Sequence, residues 1–166
     1  IDATFLSAKA LDTFLAETIA QAKAENVLYS VHLKATMMKV SDPIIFGHVV
    51  RAFFADVFDA YGAQLAAAGL NGNNGLGAIL SGLGELDGGD AISARIAQDL
   101  ESGPRLSYVN SDKGITNLHV PSDVIVDASM PALVRNGGKL WGKDGEEEDT
   151  IAVIPDTASS RKMRGV

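Results

Sequence analysis

The sequence predicts an α/β protein with helices packed against a sheet, and three stretches carry that prediction. Residues 7–25 repeat apolar positions at steps of three and four, residues 27–33 are apolar on nearly both sides, and residues 44–58 are apolar over a broad arc. The first pattern is that of an amphipathic helix. The second is that of a strand covered on both faces, and the third that of a helix packed on more than one side.

The elements follow in order. In the first helix Leu11, Phe14, Leu15, Ile19 and Ala22 form the inward face, alanines at 8, 10, 16, 20 and 24 raise helix propensity, and Ser7 is placed to cap it. Asn26 ends it, and Val27-Leu28-Tyr29-Ser30-Val31-His32-Leu33 is the buried strand. Ser41-Asp42-Pro43 then marks a helix start, because proline at the first helical position gives up only an N–H that would be unpaired. That helix is expected to run toward Leu65 as one element, with Arg51, Asp56 and Asp59 toward water.

Glycines punctuate residues 66–90, where only 76–83 is apolar enough for a short helix. A further helix is expected over 91–101 with Asp90 as its cap, broken by Gly103-Pro104, and a short strand over 105–109. Asp112-Lys113-Gly114 reads as a turn, and Val124-Ile125-Val126 fits either a strand or a buried helical turn. A short helix over 130–135 is closed by Gly137-Gly138. Residues 140–145 make the tight turn of a hairpin that returns over 151–154, and the acidic run 146–149 reads as a solvated loop.

Composition narrows the function classes. With 166 residues and 46% hydrophobic content, one compact domain is the default, and two small ones are possible. A net charge of −7 argues against a nucleic-acid partner, since an acidic surface repels phosphate, although a local lysine cluster can still serve an anionic small molecule. The absence of cysteine excludes disulfides, thiolate metal sites and cysteine nucleophiles, and is consistent with a reducing compartment, so a cytoplasmic location is expected. No apolar run approaches the roughly 18–20 residues of a membrane span, and no secretory signal pattern is present. A membrane partner is therefore not expected.

Two segments concentrate chemistry. In the first, His32-Leu33-Lys34-Ala35-Thr36-Met37-Met38-Lys39-Val40-Ser41-Asp42-Pro43 lies between a buried strand and a helix N-terminus, where unpaired N–H groups favour anions. A lysine there suits a polycarboxylate substrate or proton transfer, and a surface charge with a snorkelling stem is the alternative. In the second, Asp127 follows three apolar residues, so a carboxylate sits at the edge of a core, with Asp123 four residues before it. Hard oxygen donors of this kind suit Mg²⁺ or Mn²⁺ better than zinc, while helix caps and turns explain the same aspartates without a metal. Three weaker signals read structurally. Asn73-Asn74-Gly75-Leu76-Gly77 is a turn and not a dinucleotide fingerprint, His48 is a hydrogen-bonded boundary histidine, and Trp141 packs on the hairpin.

The stretch Ser30-Val31-His32-Leu33-Lys34-Ala35-Thr36-Met37-Met38-Lys39-Val40-Ser41-Asp42-Pro43-Ile44-Ile45-Phe46-Gly47-His48 closely resembles the monomeric NADP-dependent isocitrate dehydrogenases. So does the stretch from Val109-Asn110-Ser111-Asp112 through His119-Val120-Pro121-Ser122-Asp123 to Asp127-Ala128-Ser129-Met130-Pro131. The resemblance covers residues 2–156. It implies part of an isocitrate/isopropylmalate dehydrogenase-like large domain, with helices on a mixed sheet. It also implies an oxidoreductase that converts isocitrate to 2-oxoglutarate with NADP⁺ and Mg²⁺ or Mn²⁺. The segment Thr36-Met37-Met38-Lys39 is similar to the lysine motif of the homodimeric isocitrate dehydrogenases, which implies proton transfer at the substrate hydroxyl for Lys39. By the same resemblance Asp127 is the metal-ligating aspartate of this piece, with Asp123 as second choice.

The family's substrate-clamping residues, other metal aspartates and NADP-binding residues belong to earlier and later regions, so no cofactor-binding residue is expected in this chain. The expectation is an internal piece: residues 1–156 as a partial large domain and 157–166 as a divergent or scar-like tail, inactive alone. The rest of the parent polypeptide would be its partner, and its uncovered apolar surface would favour self-association. The alternative is a stand-alone binding or structural domain, or a remnant of that enzyme.

Overall fold

The computed structural model describes residues 5–35 and 37–155. Its elements are α1 (Ala8–Glu25), β1 (Leu28–Val31), α2 (Ser41–Phe53), α3 (Ala55–Ala67), α4 (Leu76–Leu83), α5 (Gly89–Ser102), β2 (Arg105–Leu106), β3 (Tyr108–Asn110), β4 (Ile115–Thr116), α6 (Val126–Arg135), β5 (Lys139–Trp141) and β6 (Glu147–Val153). The main sheet has the order β2-β1-β6-β5. β1 runs parallel to both β2 and β6, and β5 closes the sheet antiparallel to β6. The expected α/β architecture on a mixed sheet is therefore borne out. The divergent tail expected after Asp156 lies outside the described residues.

The period-two alternation of β1 divides the core. Tyr29 and Val31, with Leu33 just beyond the strand, join a large cluster built from α1, α2, α4 and α5, centred on Leu15, Phe46, Val49, Val50, Leu76 and Ile92. Leu28 faces the other way, into a small cluster with Leu133 of α6 and Leu140 of β5. The sheet is covered on both faces, which explains why the residues of β1 are all buried.

Helix ends follow local chemistry. Ser7 Oγ accepts from the Ala10 N–H, and Asn26 ends α1 in the left-handed region with its N–H on the Ala22 and Lys23 carbonyls. The expected helix from Ser41 toward Leu65 is two helices, broken at Phe54 (φ −105°, ψ 41°). Neither glycine nor proline causes the break. Phe53 and Phe54 are both buried, with their rings 5.0 Å apart edge to face. The two rings pack on each other where the chain leaves the helical ladder.

Three further expectations are corrected. Asp90 sits inside the first turn of α5, and Gly88 (φ 75°) takes the cap position, because the chain must turn left-handed there. The strand expected over 105–109 is two short strands in different sheets. The acidic run is no loop: Glu147, Glu148 and Asp149 pair with Trp141, Leu140 and Lys139. Their carboxylates are accommodated because β6 begins beyond the core, beside Lys139 and an Arg105–Glu148 ion pair. Trp141 lies in this hairpin, as expected, and is half exposed.

Candidate functional site

The site lies at the carboxyl end of β1, where α/β sheets gather ligands. Past Val31 the chain stays close to two neighbours. The His32 N–H donates to the Val153 carbonyl (2.8 Å) and the Leu33 N–H to the Val124 carbonyl (3.0 Å). The Val126 N–H returns to the Leu33 carbonyl at 2.7 Å, so the first turn of α6 is docked on the strand end. Leu33 and Lys34 both bridge Ile125.

This docking sets the side-chain pairing. Lys34 Nζ lies 3.0 Å from Asp127 Oδ2, the lysine mostly covered and the carboxylate largely exposed. On its other side the Lys34 N–H donates to Oδ2 of buried Asp42 at 2.7 Å, in the first turn of α2. The Ser41 hydroxyl donates to the other oxygen of that carboxylate. The Met37 and Met38 N–H groups both donate to the Lys34 carbonyl, and the Asp42 N–H to the Met38 carbonyl. These bonds tie Lys34 to Met37, Met38 and the start of α2, and Lys39 is exposed between them. Lys39 lines an open concavity with Ala35, Pro43, Asn74, Val120, Pro121 and Ser122.

The two candidate segments are thus brought together, but not every candidate residue meets the others. Asp127 is carried to Lys34. Asp123 closes a 3₁₀ turn (Pro121–Asp123), exposed to solvent. Its charge acts on His119, opposing the burial that holds the His119 pKa below its usual value. Because the chain changes conformation at Val124 and Ile125, Asp123 and Asp127 share neither a helix nor a strand.

Glycine fixes the remaining wall. The Leu76 and Gly77 N–H groups at the start of α4 donate to the carbonyls of Leu118 and His119. At Gly75 (φ 87°) a Cβ would stand 2.2 Å from the His119 oxygen, so a side chain there would push the 118–122 segment away. The Asn73-Asn74-Gly75-Leu76-Gly77 stretch, expected as a turn, is the end of a 3₁₀ helix (Gly72–Asn74) that passes through Gly75 into the first residues of α4, and it holds the wall opposite Lys39. His48 also behaves as expected, with its Nδ1 2.6 Å from Asp12 Oδ1 of α1.

Two polar groups behind the site, His32 and Asn117, have partners that the sequence did not reveal. His32 Nδ1 lies 2.6 Å from Ser129 Oγ, which donates to the Ile125 carbonyl at 2.8 Å. Burial pushes the His32 pKa down to about 4. Asn117 Oδ1 accepts from the Val31 N–H (2.6 Å), and its Nδ2 donates to the Val31 carbonyl (3.0 Å). Both residues lie inside the segments that drew attention, but nothing in local spacing signals partners so distant in the chain.

Among the described residues no group of three or more histidine, aspartate or glutamate side chains is arranged to hold a metal ion. Asp127 offers a single exposed hard-oxygen donor, the kind a divalent cation takes, with its Oδ2 paired to Lys34. Among them, no helix is long and apolar enough to cross a membrane.

A family model described as monomeric isocitrate dehydrogenase matches residues 1–164. The chain is 68% identical over 158 residues to isocitrate dehydrogenase [NADP] of Corynebacterium glutamicum, covering 95% of this chain and 21% of that protein. Over 160 residues it is 51% identical to the Azotobacter vinelandii isocitrate dehydrogenase [NADP], covering 94% and 21%. Isocitrate dehydrogenase [NADP] 2 of Mycobacterium tuberculosis is 47% identical over 163 residues, covering 97% and 22%. The chain spans about a fifth of the length of these relatives. Matched along nearly all its residues, with the α/β fold that such a match entails, it belongs to the monomeric isocitrate dehydrogenase family.

Proposed function

We propose that this chain is part of an NADP-dependent isocitrate dehydrogenase and forms one wall of its active site, with residues 1–156 as a portion of the large domain. The observation that supports the reading is the meeting of the two candidate segments at the open end of β1, where Lys34 pairs with the Asp127 carboxylate and Lys39 lines a concavity with Val120, Pro121 and Ser122. The substrate is isocitrate, and the product 2-oxoglutarate.

Lys39 is the group that takes the proton from the substrate hydroxyl as hydride leaves for NADP⁺. Its solvent-facing position on a constrained loop suits a role at an open cleft. As an ammonium it also offsets charge on the substrate carboxylates. Asp127 is the residue that contributes to binding Mg²⁺ or Mn²⁺, and Asp123 is the second choice, since its charge is directed at His119. The metal, when bound, supplies Lewis-acid stabilisation of negative charge on substrate oxygens. Lys34 keeps the Asp127 carboxylate oriented through the 3.0 Å ion pair. The NADP⁺ site and the remaining ligands come from the rest of the polypeptide. In this reading the enzyme is cytoplasmic, with neither nucleic acid nor membrane as a partner.

The test exchanges this segment for the matching stretch of the full-length Corynebacterium glutamicum relative and follows NADPH formation with isocitrate and Mn²⁺. Activity should be retained. Lys39→Met in that protein should lower kcat by about 100-fold or more while KM for isocitrate changes little, in line with the 10²–10⁴-fold reach of general acid–base catalysis. An unchanged kcat removes Lys39 from the mechanism.

A further inference from the structure

We propose that His32 and Ser129 act as a positioning pair that fixes the first turn of α6 and thereby aims the Asp127 carboxylate; this rests on the reading of Asp127 as a metal ligand. Asp127 is the second residue of α6, and the helix begins without a side-chain cap, its cap position being held by Ile125. An N-terminus of that kind frays unless something else holds it. Two side-chain rungs do so from the strand end: Lys34 to Asp127 and His32 to Ser129.

The second rung has a defined polarity. The single Ser129 proton is given to the Ile125 carbonyl at 2.8 Å, so Ser129 Oγ accepts from His32, which must carry its proton on Nδ1. Ile125 is also the residue bridged by Leu33 and Lys34. The hydrogen bond therefore closes a ring through His32, Ser129, Ile125 and the strand end. His32 is 2% exposed, and its Nε2 has no partner among the described residues. A buried imidazole is costly to keep, and among the described residues its ring hydrogen-bonds to Ser129. An apolar side chain would pack at this position with less penalty, so the imidazole is explained by what it holds. Burial keeps it neutral at ordinary pH, as a fixed donor requires. Groups that orient a metal ligand from behind typically change metal affinity 10- to 100-fold when removed.

The experiment uses the full-length enzyme carrying this segment and reads the Mn²⁺ dissociation constant by EPR, with isocitrate present and NADP⁺ absent. Ser129→Ala and His32→Phe should each weaken Mn²⁺ binding about ten-fold or more, with KM for NADP⁺ unchanged. His32→Asn, whose amide N–H replaces the Nδ1 donor, should recover most of the affinity. Should His32→Phe fail to fold, Ser129→Ala and His32→Asn still decide the matter. A folded Ser129→Ala protein with unaltered Mn²⁺ affinity overturns the positioning role. Asp127→Asn separates the two readings. If it loses Mn²⁺ while Ser129→Ala does not, only the positioning pair fails; if it binds Mn²⁺ normally, the assignment of Asp127 fails and the pair with it.

Discussion

At the scale of single residues, His32 ties stability to pH. In the unfolded chain its imidazole titrates near 6.5, whereas in the fold burial lowers the pKa to about 4. Between those values the unfolded state binds the proton more readily. Stability is therefore full above pH 6.5, declines as pH falls through the window, and levels off below about 4. The shift sets an upper limit on the order of 3 kcal/mol for this one group. His119, also lowered by burial, adds in the same direction. Denaturant unfolding between pH 7.5 and 5 should show the decline, and His32→Phe should flatten it; an equal slope in the variant would exclude His32 as the cause. Sequence flagged His32, Lys34, Lys39, Asp123 and Asp127 as residue types suited to chemistry. It did not show that Lys34 meets Asp127 or that His32 meets Ser129, because those pairings depend on where α6 docks and leave no trace in local spacing.

At the scale of elements, one side chain completes the sheet. β2 pairs with β1 only at Leu28 and Tyr29, so among the described residues no strand lies beside the Val31 N–H and carbonyl on that edge. Asn117 takes the place of a neighbouring strand, accepting from one and donating to the other in a site where it is 6% exposed. Asn117→Ala would leave both backbone groups buried and unpaired, at a cost of about 2–4 kcal/mol. Urea unfolding measures that loss directly, and a change below about 0.5 kcal/mol would show that the backbone groups find other partners. Most helices and the hairpin were legible because amphipathic periodicity, Ser7, the Ser41-Asp42-Pro43 start and Gly137-Gly138 are local signals. The break at Phe54 was not legible, since no glycine or proline marks it and it coincides with a contact between two adjacent aromatic rings that sequence does not reveal. Nor was the strand at Glu147–Asp149, whose charge suggested a loop while its pairing to β5 decides its conformation.

At the scale of the whole molecule, the apolar surface points to association. Phe5 (85% exposed), Leu6 and Phe14 lie around one concavity, joined by Leu11, Ile154 and Pro155. Met37, Val40 and Ile44 expose a second set near Lys39. A chain that spans about a fifth of its relatives' length has, in the reading proposed above, the rest of a polypeptide to cover such faces. Left alone, the purified 166-residue chain should associate through them. The net charge of −7 opposes this, and the opposition is screened by salt, whereas the apolar attraction is not. Sedimentation velocity should therefore show a concentration-dependent shift to larger species that grows as NaCl is raised. Phe14→Glu, which puts a charge at the centre of the first set, should return the chain toward monomer at every salt concentration. If association instead weakens with salt, complementary charges and not the apolar faces hold the copies together. A chain that stays monomeric at high concentration and high salt would show that these exposed side chains do not suffice to join one copy to another.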